Sequence, residues 1–265
     1  MNDLDQAIIA CSRSRAALPD LMRALGNGEL WFFIPWHPEI EGGVLELKNG
    51  DRHPWIQIED EEGPLVPLFS SLERTREAMK AARFPARTIM AGSMPATNVL
   101  AILGRSELRA VLNKGCQTGQ LVIPANMMRD VADGTAFQPA AETAEHSRET
   151  MQIIDPADYP TTLVQSAFEL MRRHRNFRAA WLLGRGNGQP SPAGGRRLHL
   201  MMLMEPRDAA IVRDLDVVVG AECEVDELSL GYVDENDEAY IAHLWKKVPP
   251  FYVAPDYEGP PGVNQ

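Results

Sequence analysis

The sequence predicts an α+β protein of two modules, each a small, mostly antiparallel sheet covered by helices. Three observations predict it. Short apolar runs bounded by Gly, Pro and Asn-Gly punctuation alternate with stretches whose apolar residues recur at helical spacing. The elements follow one another without the strict β-α-β alternation of a doubly wound fold. Residues 134–150, GTAFQPAAETAEHSRET, break the pattern with an Ala-, Glu- and Thr-rich composition and little apolar periodicity, as a linker would. The expected partition is therefore a module at 1–133, a linker at 134–152 and a second module at 153–265.

Taking the elements in order, Leu4, Ile8, Ile9, Leu18, Leu21, Met22 and Leu25 read as helix, with Pro19 starting a second one and Gly26 and Gly28 ending it. Leu30–Ile34 reads as a buried strand closed by Pro35 and Pro38. Val44–Leu47, Trp55–Ile58 and Leu65–Phe69 read as further short strands, and Glu59–Glu62 as a charged turn without calcium-loop spacing. Ser70 and Glu73 have capping-box spacing for a helix running to about Ala82. Thr88–Ala91 reads as a strand, and Ser93-Met94-Pro95 as the opening of a helix that carries Val99, Leu100 and Leu103, with Leu108, Val111 and Leu112 continuing it. Leu121–Ile123 is a strand and Pro124–Val131 a terminal helix.

In the second module, Asp155-Pro156 has the form of an N-cap followed by a first-turn proline, ahead of a helix bearing Leu163, Val164, Ala167, Phe168, Leu170 and Met171. Phe177–Leu183 and Leu198–Met204 read as strands joined by a long Gly/Pro turn. Pro206 starts a helix whose Ile211, Leu215, Val218 and Val219 face the sheet. Val225–Val233 follows as a strand, and a last helix groups Tyr240, Ile241, Leu244, Trp245 and Val248. The resulting order is α-β-β-α-β-α. The first module shares part of this skeleton, which raises common ancestry of the halves; different strand orders would argue against it.

Charge narrows the partners. With 26 basic and 37 acidic residues the chain carries −11, which repels phosphate backbones and anionic lipid, so neither nucleic acid nor membrane is expected. No stretch approaches the ~20 apolar residues of a membrane helix. Three scattered cysteines, Cys11, Cys116 and Cys223, form no disulfide framework and suit the cytoplasm. The N-terminal residues have acids where a signal peptide would be basic.

No cofactor or metal constellation emerges. Gly184-Arg-Gly-Asn-Gly188 follows a strand, but Pro190 and Pro192 stand where a dinucleotide loop needs a helix N-terminus. His37, His53, His146, His174, His199 and His243 never pair at i, i+4, and CxxC, HExxH, GxSxG and Walker motifs are absent. A Cys–His or Ser–His pair assembled in space stays open, because such sites are defined by geometry and not by order. Leu200-Met201-Met202-Leu203-Met204 reads as a central strand buried on both faces. Arg172-Arg173-His174-Arg175 is the densest basic cluster. It complements a helix C-terminus, and it is also a contact for an anionic ligand or acidic protein surface. The acidic stretch from Glu222 to Glu238 reads first as a solvated acidic face; the alternative is that it pairs with the basic cluster, within the chain or across a homodimer.

Several short motifs, in order, resemble the SseB (enhanced serine sensitivity) family. Leu30-Trp31 with Pro35 is similar to the family's first strand. Val66-Pro67-Leu68-Phe69-Ser70-Ser71-Leu72-Glu73 is similar to its strand-into-helix segment, and Leu121-Val122-Ile123-Pro124 to its late strand, with Ile-Pro where the family often has Asn-Pro. Leu244-Trp245-Lys246-Lys247 and Pro250-Phe251-Tyr252 resemble the family's ending. The resemblance implies N-terminal and C-terminal SseB-like modules and a bacterial cytoplasmic protein linked to serine sensitivity. It supplies no catalytic residues. The expected function is binding or regulation, with Arg172, Arg173, Arg175 and the corner Phe69, Ser70 and Ser71 as contact residues for a protein or small-molecule partner. The alternatives are an enzyme with a Cys/His site assembled in space and an interaction module of a secretion system.

Overall fold

The computed structural model describes residues 2–36, 55–82, 89–117, 119–138, 151–154, 158–185, 197–221, 227–233 and 236–260. The chain divides into two compact units, Met1–Gln138 and Pro139–Gln265. Both are α+β, and each sheet is antiparallel apart from one parallel pair. The expected strand Val44–Leu47 and the Asp155-Pro156 cap lie outside the described residues, as do residues 139–150, the acids Glu222, Glu224, Asp226, Asp234 and Glu235, and most of the Gly/Pro turn.

In the first unit, α1 (Asp3–Arg13) and α2 (Leu18–Asn27) lead into β1 (Glu29–Pro35). Proline in the first turn of α2 costs no hydrogen bond, since that N–H has no partner in the helix. Gly28 ends α2 with extended backbone, not the left-handed turn its residue type suggests. The hairpin of β2 (Ile58–Asp60) and β3 (Gly63–Phe69) follows, so the strand expected at Trp55–Ile58 lies later in the chain. The charged turn between them is gathered by Arg109, which pairs with Asp60 and Glu62 and donates to Gly63 O at 3.0 Å.

Then come α3 (Leu72–Ala82), β4 (Ile89–Pro95), α4 (Ala96–Arg105), β5 (Arg109–Leu112), β6 (Leu121–Ile123) and α5 (Ala125–Ala132). Two expectations are corrected here. Ser93-Met94-Pro95 is strand, because all of β4 pairs with β1 from Glu29↔Pro95 to Pro35↔Ile89. Leu108–Leu112 does not prolong α4: Glu107 takes φ 54°, which ends the helix, and Arg109–Leu112 pair in parallel with Leu65–Leu68.

The sheet order is β4-β1-β3-β5-β6, with β2 also on β3. The crossover through α3 runs from β3 past β1 to β4, and the one through α4 runs back to β5. Right-handed crossovers in opposite directions place their helices on opposite faces. Accordingly α3 covers the face of Phe33, Phe69 and Ile89, packing Ala78 among them. α1, α2, α4 and α5 bury Ile8, Leu21, Leu25, Leu100, Leu103 and Met128.

The second unit contains β7 (Met151–Gln152), α6 (Thr161–Met171), β8 (Phe177–Arg185), β9 (Arg197–Met204), α7 (Ala209–Gly220), β10 (Glu227–Tyr232), α8 (Glu238–Lys247) and β11 (Tyr252–Val253). Its sheet order is β10-β9-β8-β11, with β7 also on β8. Pro206, after a cis peptide, does not start α7; Asp208 caps that helix by accepting from the N–H groups of Ala210 and Ile211. Val212 takes the buried place expected of Ile211, and Tyr240 is exposed, not part of the core of α8. Leu200–Met204 is buried throughout. β9 is an inner strand, with α8 over the face of Trp181, Met201 and Leu203. β10 runs parallel to β9, as a connection through α7 allows.

The two sheets share a core arrangement with different wiring. In each, a hairpin-like antiparallel pair (β1/β3, β8/β9) gains a parallel neighbour on its second strand and an antiparallel neighbour on its first. After the first crossover helix, the first unit fills the antiparallel edge with β4. The second unit fills the parallel edge with β10. This difference argues against a simple duplication.

Helix α4 meets α5 at Gly104, where an added Cβ would stand 2.7 Å from Arg129 Cγ and 3.2 Å from Arg129 N. In an open helix Gly→Ala gains about 1 kcal/mol. Here overpacking of about 1–3 kcal/mol opposes that gain. Gly104→Ala is expected to lower the urea midpoint, and Gly104→Val to lower it further.

Candidate functional site

The Phe69–Ser71 corner lies where β3 runs into α3. Since β3 and β5 are parallel neighbours, their carboxyl ends emerge side by side, and residues following such ends are a common place for function. Ser70 follows β3, and Asn113 follows β5. α1 brings Asn2 and Asp5 to the same point, and α3 brings Arg74 and Glu77.

Asp5, Ser70 and Asn113 are all buried. The Ser70 hydroxyl lies against Asp5 Oδ1 and 3.1 Å from Asn113 Oδ1. Asn113 Oδ1 accepts the Ser70 N–H at 3.0 Å, while Asn113 Nδ2 donates to Asp5 Oδ1 at 3.3 Å and its backbone N–H to Leu68 O at 2.8 Å. Asn113 adopts φ 51°, a left-handed conformation that asparagine tolerates better than most residues. Asn2 caps α1 by accepting the Asp5 N–H at 2.8 Å and donates to Ser70 O at 2.7 Å. The corner thus fastens α1 to the ends of two strands.

Ser70 is therefore not the cap of α3. Ser71 is: its Oγ accepts the Arg74 N–H at 3.3 Å, one residue later than the capping-box spacing suggests, and Glu73 stays exposed. Phe69 is buried against Phe33, ring centroids 4.8 Å apart. Phe69 and Ser70 thus act as internal supports, and Ser71 and Arg74 are the corner's more outward groups.

Arg74 carries the charge balance outward. Its Nε lies 3.4 Å from both Asp5 oxygens, and its Nη1 donates to Glu77 Oε2 at 2.7 Å. Glu77 Oε1 accepts the Gln117 N–H at 2.8 Å. That N–H, then the Arg74 guanidinium, hold the Glu77 carboxyl below its usual range, while Glu77 and Asp5 hold Arg74 firmly protonated. Cys116 is half-buried, with its Sγ 3.4 Å from Arg74 O, and burial and the Glu77 charge push its thiol up to about 11. That is opposite to the shift a thiolate nucleophile needs. Burial likewise raises Cys11. Cys223 lies outside the described residues, and so do His37, His53 and His146.

Arg172, Arg173 and Arg175 are exposed around the turn that ends α6. Arg172 is the C-cap residue and its guanidinium sits 5.8 Å from the Phe168 ring centroid. The turn is tied to the segment after β9: Asn176 Nδ2 donates to Pro206 O at 2.9 Å, and Glu205 N to Asn176 O at 2.8 Å. This brings in Arg207, which stacks 4.8 Å over the Tyr232 ring. Arg178, at the start of β8, pairs with Asp256 and Glu205. Asp237 and Glu238, from the acidic stretch, cap and charge the start of α8.

Sequence reasoning missed Asp5, Asn113, Arg74 and Glu77. Asp5 carried a legible signal, an acid among the apolar positions Leu4 and Ile8 of an amphipathic helix. Asn113 stood in an Asn-Lys-Gly turn after an apolar run. Their convergence depends on the parallel pairing of β3 with β5.

Among the described residues no three or more His, Cys, Asp or Glu side chains converge as a metal would require, and no helix is long and apolar enough to cross a membrane. Residues 4–130 match the family model described as the SseB protein N-terminal domain. The first unit is such a domain, so the chain carries an SseB-family N-terminal domain. No curated protein and no solved structure matches significantly.

Asn113→Asp would place a second carboxylate beside buried Asp5. The variant is expected to be destabilised by about 2 kcal/mol or more at neutral pH and to regain part of that on acidification, as the introduced carboxyl takes up a proton; chemical denaturation at several pH values checks it. Glu77 is lowered in the folded chain, so its contribution is complete above its unfolded-state range and disappears as pH falls through its lowered native one. Glu77→Gln should flatten the acid limb of stability against pH. Cys116 should react with iodoacetamide far more slowly than a free thiol at pH 8.

Proposed function

We propose that the chain is a cytoplasmic, non-enzymatic binding protein, and that Arg172, Arg173 and Arg175 form its contact with the acidic surface of a protein partner. The observation that carries this reading is the exposure of three arginines on one turn, joined by Arg207 across the Asn176–Pro206 tie, in a chain whose net charge is −11. A positive end on an acidic protein orients an encounter with a negatively charged surface and disfavours like-charged companions. Arg172 over Phe168 and Arg207 over Tyr232 hold their guanidiniums by stacking, which reduces the ordering cost on binding. The role assigned to the Phe69, Ser70 and Ser71 corner is to set the position of α1 and α3, with Ser71 the residue there that a partner reaches.

In this reading residues 153–265 are an SseB-like C-terminal module, 134–152 a linker and 1–133 the N-terminal module. The family name ties the process to serine sensitivity, hence to amino-acid or sulfur metabolism. The competing Cys/His enzyme is disfavoured at Cys116, whose raised thiol and neighbours Arg74 and Glu77 are those of a structural cysteine.

Affinity purification of the full chain from its native cells, beside an Arg172→Glu/Arg173→Glu/Arg175→Glu variant, tests this. A companion recovered with the parent and lost with the variant, at unchanged thermal midpoint, is the expected result. Recovery of no specific companion, or equal recovery with both, would overturn the reading.

A further inference from the structure

Strand β4 is an edge of the first sheet, pairing with β1 on one side and, among the described residues, with no strand on the other. Sheet edges are normally guarded by shortness, charge, proline or a bulge, because their free N–H and C=O groups template further pairing. Other edge strands here follow that rule: β6 has 3 residues, β7 and β11 have 2 each, and β10 opens with Glu227. β4 does not. Its 7 residues, Ile89–Pro95, carry no charge, pair with β1 in unbroken register, and hold a proline only at the end. Ser93 and Pro95 are exposed, and Met90, Ala91, Gly92 and Met94 are half-buried, so the edge is open. Helix α3 stands inboard of it, with Ala78 packed among Phe33, Phe69 and Ile89.

The ladder with β1 settles which way each residue of β4 turns its backbone. Ala96 N–H donates to Gly28 O at 2.9 Å, one step beyond the pair Glu29↔Pro95. Bonded and non-bonded pairs alternate in an antiparallel ladder. Met94, Gly92 and Met90 therefore turn toward β1, and Ser93, Ala91 and Ile89 turn outward. Two observations agree. Pro35 and Pro95, which have no N–H, stand at non-bonded pairs. Phe33, opposite Ala91, turns its carbonyl away from β4 to accept the Ile56 N–H at 3.2 Å.

Outward groups at every second position make this edge self-complementary. An antiparallel copy centred on Ala91 sets Ala91 against Ala91 and Ile89 against Ser93 twice, each pair exchanging two hydrogen bonds. Shifting the register so that Ile89 meets Pro95 removes a donor, so the Ala91 centre is favoured. At the flanking positions Met90 of one copy comes opposite Gly92 of the other. A Cβ on Gly92 would stand 3.0 Å from the Phe32 ring, so glycine lets that ring lie close, where the incoming thioether meets it favourably. Charge also fits a second copy. Two chains of −11 repel each other, and they meet here at segments that add nothing to the repulsion. A contact of this isologous kind closes at two copies.

We propose that the first unit pairs with a second copy of the chain through β4, antiparallel about a two-fold axis at Ala91, so that the two sheets become one. The contact is independent of the arginine turn and goes beyond the partner binding proposed above. A seam of this length is a small interface, so the dimer is expected to dissociate on dilution.

Sedimentation velocity of the full chain over a range of concentrations tests it, on the parent, Ala91→Lys, Ala91→Glu and an equimolar mixture of the two variants. Like charges directly opposite each other oppose strand pairing, and unlike charges favour it. Expected are a reversible dimer for the parent, a dissociation constant raised about fivefold or more in each variant alone, and recovery of the dimer in the mixture. Thermal midpoints, taken where all the proteins are monomeric, check that the fold is unchanged. Higher ionic strength should strengthen the parent dimer by screening its net charge, whereas it weakens a contact through the arginines, so the two proposals fail separately. If a charge at 91 unfolds the chain, Ser93→Pro, which deletes an outward N–H from an exposed residue, should raise the dissociation constant in its place. A parent that stays monomeric at every soluble concentration would overturn the proposal and leave the edge to a strand of another protein. A dimer equally stable in all variants would also sink it, placing the contact between copies elsewhere. So would a Lys and Glu mixture that stays monomeric.

Discussion

The first unit is organised around a buried carboxylate that its surroundings must satisfy. Asp5 enters from α1, in a place its helix periodicity reserves for apolar residues, and a lone ionised carboxylate there would be strongly unfavourable. Four demands follow from it. Ser70 must direct its hydroxyl inward and so cannot cap α3, which leaves the cap to Ser71. Asn113 must turn its amide nitrogen to Asp5 and its oxygen to Ser70, which requires the left-handed backbone at that residue. β5 must lie parallel beside β3, so that both residues arrive at the same end of the sheet. Arg74 must lie over the carboxylate and is itself braced by Glu77. The helix that begins the unit, two strand ends and the opposite helix layer are thereby fixed to each other by a handful of hydrogen bonds.

Much of the fold was legible because it rests on local periodicity. Leu30–Ile34, Leu65–Phe69, Leu121–Ile123 and the methionine-rich Leu200–Met204 declare themselves as strands by composition. The misread places are those where a distant partner decides the outcome. Ser93–Pro95 has a helix-opening sequence but is held as strand by β1, and Leu108–Leu112 has helical spacing but lies against β3. Pro206 looks like a helix start, yet Asp208 two residues on satisfies the free N–H groups of α7. At the corner Phe69–Ser71 stood out as a strand-to-helix junction, while its partners Asp5 and Asn113 lie 65 and 43 residues from Ser70, and nothing local to any of them shows that they meet. His199 and Ser229 are likewise neighbours only through the register of two parallel strands.

The wiring difference between the two sheets bears on how each unit reaches its native state. In the second unit the parallel neighbour of β9 arrives after a single helix, so the hairpin, α7 and β10 form a contiguous stretch that can close on itself early. In the first unit the parallel neighbour of β3 arrives only after two helices and an intervening strand that has already crossed to the far edge. Closing the longer loop costs more chain entropy before any contact repays it. The Asp5–Ser70–Asn113 hydrogen bonds need that late strand in place. They therefore act as a latch set at the end of assembly, and a chain interrupted before β5 docks would expose an unpartnered acid at the end of an incomplete sheet.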